Sequence, residues 1–123
     1  MSASGIFEVN IEPQKDENAP VGRMLINKKY TGDIEGTGIG QMISKRTDSG
    51  TAVYFAIEEF QGVVDGKTGA FTLVHNGYMS SEDQSLDIKI LEGSGRGELG
   101  NISGSMEIIQ DEGEHRFVLQ YEL

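Results

Sequence analysis

The sequence predicts an all-β fold, a single eight-stranded antiparallel barrel spanning residues 1–123. Three observations predict it. Apolar residues recur at every second position in segment after segment, the pattern of half-buried strands. Seventeen glycines stand against two prolines, and glycine serves tight turns and bulges better than helices. The breaks between segments are short, so neighbouring strands should pair antiparallel.

Taken in order, Phe7, Val9 and Ile11 alternate against Glu8, Asn10 and Glu12. The stretch PQKDENAP (13–20) is the longest polar interruption and reads as a loop. Met24, Ile26, Lys28 and Tyr30 form a second alternating set, and residues 41–45 a third segment. Next, Tyr54, Ala56, Glu58 and Phe60 share one face of a strand whose other face carries Val53, Phe55 and Ile57. Phe71, Leu73 and His75 follow, then Leu86, Ile88 and Ile90, then Met106 and Ile108. Phe117, Leu119, Tyr121 and Leu123 end the chain. Ser81-Glu-Asp-Gln84 has the spacing of a helix capping box, but the apolar pattern after it is too short for a helix and reads as a strand. Turns are expected at Asp48-Ser-Gly50, Asp65-Gly-Lys67, Asn76-Gly77 and Asp111-Glu-Gly113.

Glycine also forms a motif used three times, G-x-[IV]-x-G, at Gly32–Gly36, Gly62–Gly66 and Gly100–Gly104. One apolar residue held between two glycines fits a strand corner whose Ile or Val plugs a barrel end. The segment Gly95-Arg-Gly-Glu-Leu-Gly100 spells the dinucleotide fingerprint, but that fingerprint needs a helix to cap the pyrophosphate. Ile102, Met106 and Ile108 alternate as a strand instead, so no nucleotide cofactor is expected. Gly36-Thr-Gly-Ile-Gly40 fails in the same way, and no Gly-Lys-Ser/Thr follows either.

With 37% hydrophobic and 24% charged residues the composition is that of a globular protein. A net charge of −10 with scattered Lys and Arg argues against nucleic acid, which needs a positive stripe, and against an acidic membrane surface. No apolar run is long enough for a membrane span and no signal peptide is visible at the start, so the cytoplasm is the expected compartment. The absence of cysteine removes disulfides, thiolate catalysis and thiolate metal sites. His75 and His115 are the two histidines, with no His-x-His spacing, so no metal is expected.

KKYTGDIEGTG (28–38), VYFAIEEFQGVVDGKTGAFTLVHNG (53–77) and LEGSGRGELGNISGS (91–105) together resemble a small bacterial family of unknown function, DUF3224. The resemblance covers nearly the whole chain. It implies an allene oxide cyclase-like, dirigent-like barrel of calycin type, with a cavity and oligomeric assembly. It implies no activity, because shared architecture does not carry chemistry.

Glu58 and His75 lie on inward faces of consecutive strands and match the Glu and His of the family blocks. Facing each other in an apolar lumen they would shift each other's pKa and could move a proton, so they are the candidate catalytic pair. Glu59 should face the other way. Tyr30, Tyr54, Phe60, Phe71, Leu73 and Tyr121 are the candidate ligand-binding residues, Tyr30 and Tyr121 reading also as core residues with a polar tip. Lys28 is expected to extend its ammonium to solvent. The strand at 53–60 and Met24-Leu25-Ile26 are apolar on both faces, which predicts a homo-oligomer, a dimer or trimer. Three functions remain open: a barrel that binds a small, mainly apolar ligand; a cofactor-free isomerase, cyclase or lyase using Glu58 and His75; or a structural domain with a filled barrel.

Overall fold

A computed structural model describes all 123 residues, and it contains strands and no helix. The strands are β1 (Ser2–Gln14), β2 (Gly22–Gly32), β3 (Ile34–Arg46), β4 (Ala52–Val64), β5 (Lys67–Met79), β6 (Gln84–Ile90), β7 (Arg96–Gly97), β8 (Ser103–Asp111) and β9 (Glu114–Glu122). Every pairing is antiparallel, and β4 pairs with β5 to close the ring β1-β2-β3-β4-β5-β6-β8-β9. The ring is the expected eight-stranded barrel. The two-residue β7 lies outside it, paired only with Gly69–Ala70 of β5.

Asp65-Gly66 and Glu112-Gly113 turn the β4–β5 and β8–β9 hairpins with positive φ at both residues (48° and 83°; 47° and 85°), the conformation that right-twisted hairpins favour. The segment around Asn76-Gly77 is not a turn: β5 runs straight through it to Met79. A Cβ at Gly77 would lie 2.2 Å from Cζ of Tyr54 on the paired strand, so this glycine makes room for an aromatic ring. β1 likewise continues through Pro13 and Gln14, paired with Met24 and Arg23, and shortens the polar loop. β3 begins at Ile34, well before the expected segment at residue 41.

The three G-x-[IV]-x-G corners gather at one end. Ile34, Val64 and Ile102 are buried there with Ala3 and Leu99. Gly36 and Gly62 face each other across β3 and β4, where a Cβ on Gly62 would lie 2.2 Å from the Glu35 carbonyl oxygen. Asp33 accepts a hydrogen bond from the Ser4 backbone N–H (2.9 Å), and the Tyr121 hydroxyl donates to Asp65, which pushes the phenol up to about 12. GRGELG supplies β7 and a turn that drives Leu99 into this plugged end.

Above the plug the core is aromatic. Phe60 stacks on Phe71 with centroids 4.8 Å apart, and Tyr30 packs edge-on against both Phe60 and Phe117. Leu73, Ile88, Met106 and Leu119 complete the layer. One seam of the ring is thin. β6 meets β8 only at Ile88–Met106 and Lys89–Ser105, whereas β4 is paired with β5 along its full length.

Candidate functional site

The inward face of β3 reads Gly36, Gly38, Gly40, and these bare positions lie between β2 and β4. Lys28 and Tyr30 of β2 reach across them to Glu58 of β4. The Lys28 ammonium donates to Glu58 Oε1 at 3.0 Å, and the Tyr30 hydroxyl donates to Oε2 at 2.5 Å. From the other side, His75 of β5 places Nε2 at 2.9 Å from Oε1. All four side chains are buried. A Cβ on Gly38 would fall 2.0 Å from Glu58 Oε2, so the carboxylate occupies space that only glycine leaves free. Gly38→Ala should break the Tyr30–Glu58 bond and cost about 2 kcal/mol, read as a lowered urea midpoint.

Burial by itself would raise the Glu58 pKa. The hydrogen bond from His75, the Lys28 charge and the Tyr30 hydrogen bond outweigh it and bring the carboxyl from the ordinary 4.5 down to about 2. Glu58 is therefore ionised and can only accept, so the proton in the His75 contact sits on Nε2. The Tyr30 hydroxyl is raised well above 10, by burial first and then by the Glu58 charge and hydrogen bond. Because the folded Glu58 pKa is depressed, its stabilisation is complete above about pH 4.5 and is lost as pH falls toward 2. The shift corresponds to roughly 3 kcal/mol. Urea unfolding between pH 5 and pH 2 should show this acid loss, and Glu58→Gln should flatten it.

On the mouth side of this tetrad the lumen is open. A chamber of about 260 Å³ is lined by residues from all eight ring strands. Lys28, His75 and Phe7 meet its inner end; Ala56, Tyr54, Ile26 and Met42 form part of its wall. The Lys28 ammonium sits 4.8 Å above the Phe7 ring centroid. The barrel is thus filled in one half and hollow in the other.

The candidate pair Glu58 and His75 is brought into direct contact. Of the candidate ligand-binding residues, Tyr54 lines the chamber, while Tyr30, Phe60, Phe71, Leu73 and Tyr121 pack in the filled half. Lys28 departs from expectation: its ammonium turns inward, because Glu58 offers a buried counter-charge. Glu59 faces outward and accepts from the Thr72 hydroxyl at 2.9 Å. His115 is at the chamber rim, stacked on Phe7 at 5.2 Å. The part of the site that sequence reasoning missed is the Lys28–Tyr30 side, and the alternating glycines of β3 are the signal that could have found it.

Chemically, a carboxylate this acidic is a poor base at neutral pH. It orients His75 through Nε2, and Nδ1 of that ring makes no hydrogen bond within the barrel. Lys28 adds a fixed positive charge beside it.

No curated protein matches the chain. Among solved structures it is similar to a protein of unknown function from the DUF3224 family of Shewanella oneidensis MR-1, with a TM-score of 0.92 and 31% identity, covering 98% of this chain and 95% of that one. The family described as "Protein of unknown function (DUF3224)" matches residues 3–121. The tetrad and half-open barrel described above are therefore those of a member of the DUF3224 family, to which this chain belongs.

Proposed function

We propose that the protein binds a small, mainly apolar molecule in the open half of its barrel, with the polar end of the ligand against Lys28 and His75. The observation that carries this is the chamber of about 260 Å³ with a buried ammonium and imidazole at its inner end. Apolar walls with a few convergent polar groups characterise small-molecule sites, and this volume approaches their lower range of about 300 Å³. A neutral apolar fluorophore such as Nile red should brighten on binding. Ala56→Phe, which fills the chamber from the β4 wall, should abolish the signal. Equal brightening in the variant would sink the proposal.

The Glu58–His75 hydrogen bond favours a second reading, in which the bound molecule is also isomerised, cyclised or cleaved without a cofactor. His75 would be the base and Glu58 its positioning residue. Solvent deuterium should then enter a bound carbonyl compound beside its carbonyl, and His75→Ala should stop it; no exchange in the wild type removes this reading.

The outer face of β3, β4 and β5 supports a homodimer. Ile57 and Ile39 are more than half exposed there, with Phe55, Ile43 and Val74 beside them. The register lays Arg23, Ile43, Phe55, Asn76 and Asp87 in one row across five strands. A two-fold axis at Phe55 sets Arg23 of one copy against Asp87 of the other and leaves Phe55 packing on itself. A standard interface takes ~800 Å² per partner, to which these exposed apolar side chains and the flanking rows would contribute together. Light scattering should give twice the 13.4 kDa chain mass, and Ile57→Lys should halve it. A monomeric wild type at micromolar concentration overturns the dimer.

A further inference from the structure

The chamber does not end at its own rim. A second, mostly apolar space of about 330 Å³ runs over Met24, Met42, Val53, Tyr54 and Met79 at the mouth, with Ser44, Lys45 and Arg46 also in its lining. Met42 and Tyr54 line both spaces. Met24 and Met42 are register partners on the inner faces of β2 and β3, and Met79 pairs with Ala52. Tyr54 lies flat over Gly77, so its ring forms part of the wall between the two spaces without filling either. Methionine is flexible and polarizable, and such lips adapt to aliphatic surface.

The inner end fixes the head group. Lys28 has three N–H donors and its hydrogen-bonded partner is Glu58 alone, so donor capacity remains. Its charge, however, is already balanced by the ionised Glu58 at 3.0 Å. A ligand carboxylate would therefore be buried as an unpaired charge, which is costly, in a chain of net charge −10. A neutral acceptor takes the free Lys28 hydrogen without that cost.

We infer that the ligand is a long, neutral aliphatic molecule ending in a carbonyl, with its oxygen at Lys28 and its chain running past Tyr54 into the methionine-lined groove. This rests on the chamber being a ligand site, and it specifies the class. Titration calorimetry with a series of 2-alkanones from six to twelve carbons, and with alkanoates of equal lengths, tests it. Affinity for the alkanones should rise about fourfold per methylene across the whole series, and the alkanoates should bind about tenfold more weakly. Met79→Glu should remove the gain for the longest ketones and leave the shortest unchanged. Affinity that stops rising at short chains and is indifferent to Met79→Glu overturns the extended site. Alkanoates binding as tightly as ketones overturns the neutral head. If no ketone or acid of any length binds, the chamber is not a ligand site and the underlying reading fails instead.

Discussion

Glu58→Gln should lower the unfolding free energy by about 3–5 kcal/mol, because it leaves the Lys28 ammonium buried with no counter-charge. The size of the effect comes from the partner left behind. Removing both charges with shape-matched apolar residues, Lys28→Met with Glu58→Leu, should recover most of the loss. Tyr30 and His75 would lose their acceptor in that double variant, so recovery should stay incomplete. Urea titrations of Glu58→Gln, the double variant and wild type measure this directly. If Glu58→Gln unfolds at the wild-type midpoint, the ion pair does not anchor the barrel as described.

Phe60→Ala should cost a comparable 3–5 kcal/mol, for a different reason. Phe60 is inward on β4 beside Glu58, stacked on Phe71 and touched edge-on by Tyr30. Its removal opens a void in the filled half and strips one wall from Tyr30, the donor that holds Glu58 Oε2. Thermal unfolding should show the loss, and the acid sensitivity of the variant should weaken as the Tyr30 bond loosens. A stability loss below about 1 kcal/mol would mean that the aromatic layer repacks around the gap.

The barrel was legible because alternation is a local property. Each strand announces its two faces within a few residues, and the Asp65-Gly66 turn needs only its own backbone geometry. Asn76-Gly77 misled because the same pair of residues serves a turn or a close side-chain approach, and only the facing Tyr54 decides between them. Glu58 and His75 were within reach since their strands are joined by a single hairpin. Lys28 and Tyr30 were not: they meet Glu58 across an intervening strand, and that meeting depends on strand order and on Gly38 having no side chain. Nor does alternation tell a filled lumen from a hollow one. It says which way Tyr30 and Tyr54 face, while depth along the barrel sets one in the core and the other at the mouth.

The thin seam between β6 and β8 gives the cylinder a line of weakness. Amide protons on the unpaired edges, at residues 84–87 and 107–111, have no ladder partner across that line, so they should exchange with solvent ahead of those in β3–β5. Opening of that seam would widen the wall beside Leu86 and Ile108, both of which line the chamber. For the ligand proposed above, that seam is a second route beside the barrel mouth: a sideways parting of the wall, like a split sleeve, against the continuously paired β2–β5 arc.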